Sequence, residues 1–131
     1  MKVLVVDDDL VCLHAIKNLL IENYHCEVDV AESPSETLNL IYKKALEWEP
    51  QWYDVIFMDI LMPNIKGDVL SKVIRETEVR MKHTPIIAIT SKVTPEQQAQ
   101  FLQCGVTEVV LKPITKEKLD HVFKTYFKGA L

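Results

Sequence analysis

The sequence predicts an α/β fold: a doubly wound parallel sheet of five strands in the order 2-1-3-4-5, covered by helices on both faces. Three observations lead there. Five short apolar runs recur along the 131 residues, helical patterns fill the gaps between them, and polar residues follow the runs. Strands that alternate with helices are joined by crossovers, which make the sheet parallel and bury both its faces.

The runs are residues 2–6 (KVLVV), 27–31 (EVDVA), 54–58 (DVIFM), 85–89 (PIIAI) and 108–111 (EVVL). The first, third and fourth are continuous and rich in Val and Ile, as strands buried on both faces should be. The second alternates, which suits a sheet edge. After Asp9, Leu13, Ile16, Leu20 and Ile21 recur near a period of 3.6 and predict the first helix. Ser33-Pro34-Ser35-Glu36 opens the second, with Ser to cap, Pro at the first helical position and Glu to close a capping box. Its inward stripe reads Leu38, Ile41, Ala45 and Trp48, and together with its exit, LNLIYKKALEWEPQWYD, it is long. A third helix starts near Asp68 and uses Val69, Leu70, Val73 and Ile74. Thr94-Pro95-Glu96-Gln97 caps a fourth that Gly105 ends, and a fifth runs from about Thr115 with Leu119, Val122, Phe123 and Tyr126 inward.

The bulk numbers fit one soluble domain over residues 1–131. Hydrophobic residues make up 48% and charged residues 26%. A formal charge of -4 and a pI near 5.5 give no electrostatic reason for direct contact with nucleic acid or an anionic membrane. Cys12, Cys26 and Cys104 show no CxxC spacing, which suits a reducing compartment. The start lacks a signal-peptide pattern, and no apolar run reaches the roughly 18 residues needed to span a bilayer. The expected location is cytoplasmic.

The chemistry sits at the strand ends. Ligands of doubly wound sheets bind beyond the carboxyl ends of the strands, where the strand order reverses. Asp7, Asp8 and Asp9 follow the first strand, Asp59 the third, Thr90 and Ser91 the fourth, and Lys112-Pro113 the fifth. In the order 2-1-3-4-5 the first and third strands are neighbours, so Asp7, Asp8 and Asp59 converge, flanked by Thr90 and Lys112. Three carboxylates cannot share a small site fully ionised without a cation. Hard oxygen ligands with room for water suit Mg²⁺. With Lys112 and the Thr90 hydroxyl they make a cradle for a phosphoryl group, and Asp59 is the least encumbered nucleophile for an acyl phosphate.

The series DDD, MDILMP, G, TS and KP resembles the receiver domain of two-component response regulators, across essentially the whole chain. MDILMP, TPIIAIT and LKPIT look most like receivers of hybrid histidine kinases and phosphorelays. The resemblance implies a flavodoxin-like (βα)5 three-layer sandwich. It also implies that Asp59 is the phosphoacceptor, Asp8 the direct Mg²⁺ ligand and Asp7 the acid that supports the metal through water. Leu61 matches the position whose backbone carbonyl completes the metal site. Thr90 matches the switch hydroxyl, and Lys112 the lysine that pairs with phosphate. Pro113 matches a proline that follows a cis peptide, and Gly67 fits the loop after the phosphoacceptor. Such a domain catalyses its own phosphorylation from phosphohistidine and its own dephosphorylation without being a conventional enzyme. Its implied partners are a histidine kinase or histidine phosphotransfer protein, and a downstream protein on the face of the fourth helix, fifth strand and fifth helix.

Two positions depart from the family pattern. Val109 stands where many receivers carry a switch aromatic, and the rate-tuning positions are Leu61 and Lys92. An apolar residue two past Asp59 has no group to orient an attacking water, so slow self-dephosphorylation is expected.

Blander readings stand beside these. Asp7 to Asp9 also suit a helix N-terminus, with Asp9 as its cap. Asp59 and Lys112 also suit a structural ion pair, and Thr90 and Ser91 a turn. His14, His25, His83 and His121 have no ligand spacing, and Trp48 and Trp52 read first as packing residues. A pseudo-receiver that binds without phosphorylation is an alternative that the acidic set, Thr90 and Lys112 oppose. A flavodoxin-like cofactor carrier is another, and three glycines supply no glycine-rich loop for it.

Overall fold

Along β1 (Lys2–Val6) successive side chains point to opposite faces, and both directions are apolar. Val3 and Val5 join a core with Leu13, Ile16, Phe57 and Phe123, while Leu4 and Val6 join another with Ile41, Met58, Leu70 and Ile74. One strand thus serves two cores, which requires helices on both sides. The remaining strands are β2 (Glu27–Ala31), β3 (Val55–Asp59), β4 (Ile86–Thr90) and β5 (Glu108–Leu111). The helices are α1 (Leu10–Tyr24), α2 (Pro34–Ala45), α3 (Gly67–Thr77), α4 (Pro95–Gln103) and α5 (Lys116–Tyr126), with a short 3-10 turn at Val79–Met81. This computed structural model describes residues 1–62 and 66–127. All strand pairs are parallel in the order β2-β1-β3-β4-β5, the predicted topology. Helices α1 and α5 supply one core, α2 and α3 the second, and Phe101 of α4 a third with Ile60, Ala88 and Val106.

The predicted caps form at Ser33 and Thr94, but no capping box closes at α2, because the Glu36 carboxylate accepts from the Glu32 N–H at 2.6 Å and not from Ser33. The Asp9 side chain accepts from the Val11 and Cys12 N–H groups, Ser33 caps α2, Thr94 and Gln97 complete a capping box, and Thr115 caps α5. Helix α4 stops at Gln103, and Gly105 follows with φ of 99°, a left-handed conformation that glycine adopts without strain. A Cβ at Gly105 would lie 2.8 Å from Arg75 Cγ. That approach lets the Arg75 guanidinium donate to the Gly105 carbonyl at 2.9 and 3.1 Å and to the Met81 carbonyl at 2.6 Å, tying α3 to both following loops.

Several details differ from the sequence reading. Strands β3 and β4 each run one residue further, because Asp59 pairs with Ile89 and Thr90 with Leu111 in the ladder. Asp59 and Thr90 are therefore the last residues of their strands rather than the first residues beyond them. Helix α2 ends at Ala45, so the extra length there is connection rather than helix. The Leu46 and Glu47 N–H groups bond back to the Lys43 and Lys44 carbonyls in a tightened last turn, and Pro50 disfavours helix at the residue before it. Trp48 consequently leaves the expected stripe and is 95% exposed. Ile21 and Val69 also face solvent, because Leu20 and Leu70 beside them occupy the core positions. In place of Trp48, the half-buried Trp52 packs against the second core, with the Arg80 guanidinium 4.4 Å from its ring centre. No helix of the described residues is long and apolar enough to cross a membrane.

Phe123→Ala should lose about 3–5 kcal/mol of stability in urea unfolding, whereas Trp48→Ala should change it by less than about 0.5 kcal/mol. A large loss at Trp48 would contradict its exposed placement.

Candidate functional site

The register of the sheet builds the site. Val6 of β1 pairs with Met58 of β3, so Asp7 and Asp59 lie side by side one step further on. Neighbouring strands are only about 4.8 Å apart, which brings the two carboxylates face to face. Asp8 joins them, and the three acids present oxygens within 4.8 Å of one another. On the far side Thr90 pairs with Leu111, which leaves Lys112 at the next step, its N–H bonded to the Thr90 carbonyl at 2.8 Å. The Lys112-Pro113 bond is cis. The Lys112 ammonium lies 3.2 Å from Asp7 Oδ2 and 3.8 Å from Asp59 Oδ2.

Burial and hydrogen bonding divide the acids. Asp7 is fully buried, and its Oδ1 accepts from the Asp9 N–H at 2.9 Å. Its Oδ2 faces Lys112 and has no other hydrogen-bond partner among the described residues. Asp59 is 5% exposed, and its Oδ1 accepts from the Leu61 N–H at 3.2 Å. Asp8 is open to solvent. Burial first, and then the Asp7 charge, push the Asp59 carboxyl up to about 7 from a usual 3.8, against the opposing pull of the Leu61 N–H and Lys112. Lys112 is held above its ordinary range: burial pulls it down, but the Asp59 and Asp7 charges outweigh that. The Cys12 thiol, next to Asp7, is pushed up to about 11 by burial and by that carboxylate, so it stays a neutral thiol.

Three acids against one ammonium leave the site short of positive charge, and a buried Asp7 oxygen is left with Lys112 alone. A hard divalent cation fits that donor set, with Asp8 on the open side where water has access.

Thr90 is 2% exposed, and its hydroxyl donates to the Lys92 carbonyl at 3.1 Å rather than to an acid. It borders a cleft of about 390 Å³ against α4, lined also by Leu61, Lys92, Gln97 and Phe101. A second cleft of about 440 Å³ flanks Lys112, lined by Val11, Cys12, Ile16, Pro113 and Ile114. Leu61 is 62% exposed. Gly67 is pressed against the end of β3: a Cβ there would lie 2.5 Å from the Asp59 carbonyl oxygen, and its N–H donates to the Ile60 carbonyl at 2.9 Å. The structure thus brings Asp7, Asp8, Asp59 and Lys112 together and sets Leu61 and Thr90 at the rim. Pro63 of the MDILMP motif lies outside the described residues. Sequence reasoning missed Cys12 beside Asp7 and the burial of Asp68, which reads in the sequence as an ordinary acid at a helix N-terminus.

Known proteins resemble the chain over nearly its whole length. The family pattern of the response regulator receiver domain matches residues 3–124. The chain belongs to the response regulator receiver family. Receivers of two-component signalling supply its relatives. The Vibrio cholerae chemotaxis protein CheY-3 is 33% identical over 128 residues, covering 95% of this chain and 92% of that protein. The Candida albicans transcription factor SKN7 is 33% identical over 117 residues, 89% of this chain but only 19% of that much longer protein. The crystal structure of Vibrio cholerae CheY4 superimposes with a TM-score of 0.83 at 28% identity, covering 95% of this receiver and 97% of that chain. The likeness extends to the five-stranded sheet and its order.

The raised Asp59 carboxyl sets a pH dependence. Between its usual 3.8 and about 7 the folded receiver keeps a proton that the unfolded chain has released. The folded state therefore binds more protons in that window, and stability must fall as pH rises through it. Metal-free receiver should melt at a lower temperature at about pH 8 than at about pH 5, and Asp59→Asn should flatten that slope. A slope unchanged by Asp59→Asn would place the titration elsewhere.

Proposed function

We propose that residues 1–131 form one phosphoacceptor receiver domain that takes a phosphoryl group from a phosphohistidine onto Asp59. The observation that carries this reading is the convergence of Asp7, Asp8, Asp59 and Lys112 at the ends of β1, β3 and β5, in a chain of receiver ancestry.

An Asp59 carboxylate oxygen attacks phosphorus, the P–N bond to the imidazole breaks, and the leaving nitrogen takes a proton from solvent or the donor. The product is an acyl phosphate. Asp7, Asp8, Asp59 and the Leu61 carbonyl would hold Mg²⁺, whose charge neutralises phosphoryl oxygens and lets the acids ionise together. Lys112 lies within reach of two of the acids and supplies the remaining positive charge. In the modified state it pairs with a phosphoryl oxygen. The Thr90 hydroxyl, now bonded to the Lys92 carbonyl, turns to the phosphoryl group once that group is in place. Exposed Val11 and Leu61 line the clefts on either side of the site and give a protein phosphodonor apolar surface to cover. The donor is a histidine kinase or histidine phosphotransfer protein in the cytoplasm, and the modified state is read by a downstream protein on the face of α4, β5 and α5.

Incubation with a small phosphodonor and Mg²⁺ should add the mass of one phosphoryl group to the wild type and none to Asp59→Asn. A gain that survives the substitution would overturn the site assignment. Millimolar Mg²⁺ should also raise the melting temperature at neutral pH, by relieving the repulsion of the three acids. No shift would count against the metal site. The phosphoryl group should be long-lived, because apolar Leu61 orients no water. Leu61→Asn should shorten its half-life by about tenfold, a modest share of what a positioned general base contributes.

A further inference from the structure

In this receiver the end of β3 is coupled to α4 by a route that bypasses β5. Asp59 ends the strand, and Gly67 of α3 is packed so closely on the Asp59 carbonyl that no Cβ fits. The next residue, Asp68, is 3% exposed. Its Oδ2 accepts from the Gln100 side-chain amide of α4 at 3.3 Å, across 32 residues of sequence, while its Oδ1 is buried with no partner among the described residues. An apolar residue would fill that position without the desolvation cost of a half-satisfied carboxylate. Asp68 makes no capping bond to its own helix among the described contacts, and its side-chain bond runs instead to Gln100, an exposed residue of α4.

The usual transmitter is missing. Val109 of β5 is half-buried against the cluster of Ile60, Ala88, Phe101 and Val106. A valine has no hydroxyl and, with its stiff χ1, no ring to swing between an inward and an outward position. Helix α4, by contrast, is held lightly. Phe101 is its one buried residue, and the cleft of about 390 Å³ lies under its first two turns. Its entry loop is bonded to Thr90 through the Lys92 carbonyl. Two hydrogen bonds therefore restrain α4 from the site side, Thr90 to Lys92 at its entry and Gln100 to Asp68 along its length.

We propose that the Asp68–Gln100 bond is the latch of this receiver, holding α4 against the rigid end of β3 until phosphorylation works against it. This rests on the phosphoacceptor reading, in which Thr90 leaves the Lys92 carbonyl for the phosphoryl group and so frees the entry of α4. With that bond gone, Asp68–Gln100 is the remaining polar restraint, and its strength sets how far α4 moves. Asp68 and Gln100 are positioning residues, since neither touches the reacting atoms.

The test uses the full chain and amide hydrogen exchange, with α1 and α5 as internal controls. In unmodified protein, Gln100→Leu and Gln100→Glu should each speed exchange in α4 about tenfold, the equilibrium equivalent of one hydrogen bond to a charged group, and leave α1 and α5 unchanged. Combining Asp68→Asn with Gln100→Glu reverses donor and acceptor and should restore α4 protection. In the wild type, a small phosphodonor with Mg²⁺ should speed α4 exchange, and Gln100→Glu should take up the phosphoryl group several-fold faster because its α4 is already released. Unchanged α4 exchange in both single variants, or no recovery in the double variant, would overturn the latch. If Asp59 gains the phosphoryl group while wild-type α4 exchange stays constant, the latch fails and the phosphoacceptor reading stands. Absence of any phosphoryl gain would overturn that reading and the switching role with it.

Discussion

Asp7 and Asp59 are held side by side, largely out of water, with one ammonium between them and solvent, and the rest of the site answers to that crowding. A parallel sheet leaves them no room to separate, because each is the first residue past, or the last residue of, a strand locked into register by its neighbour. The repulsion is offset in part by Lys112 and in part by retention of a proton on Asp59 near neutral pH. A divalent cation held by both acids and the exposed Asp8 would relieve it more completely. Under the proposed function, metal binding, proton release and phosphoryl transfer would form one linked equilibrium, each favouring the ionised Asp59.

Rigidity around the acids keeps that energy from dissipating. Strand β3 is buried along its whole length, and Gly67 locks α3 onto its end. Ser71, one turn into α3, donates to the Gly67 carbonyl at 2.8 Å and touches Met58 of the strand. Arg75, one turn further, fastens the helix to the Gly105 and Met81 carbonyls. Helix α3 therefore behaves as an extension of β3. Helix α4 is attached by fewer contacts and borders an open cleft, which makes it the element with freedom to respond. A charge added at Asp59 meets stiff structure on one side and a loosely held helix on the other.

Much of this was legible in the residues. Continuous Val and Ile runs marked β1, β3 and β4 as central, and the alternation in EVDVA marked β2 as an edge. Ser33 and Thr94 declared helix starts through local hydrogen bonds, which depend on a few neighbouring residues alone. Trp48 was misread because periodicity was followed past a helix end set by a tightened turn and Pro50. Asp68 was passed over because an acid at a helix N-terminus has an ordinary explanation, and its bond to Gln100 of α4 spans 32 residues of sequence. The same holds for Cys12, whose nearness to Asp7 comes from the packing of α1 on β1.

The sequence by itself determined the alternation of strands and helices, the polar residue at each strand end, and hence the chemical inventory of the site: three acids, one lysine, one threonine. These follow from short-range periodicity and hydrogen bonding, which act within a turn or a strand. Only the tertiary structure decided how that inventory is arranged. Parallel register set Asp7 level with Asp59 and within reach of Lys112, burial raised the Asp59 carboxyl, and the fold brought Gln100 of α4 to Asp68 of α3. Those are through-space effects between residues far apart in the chain, and they exist only once the sheet has closed and water has been excluded.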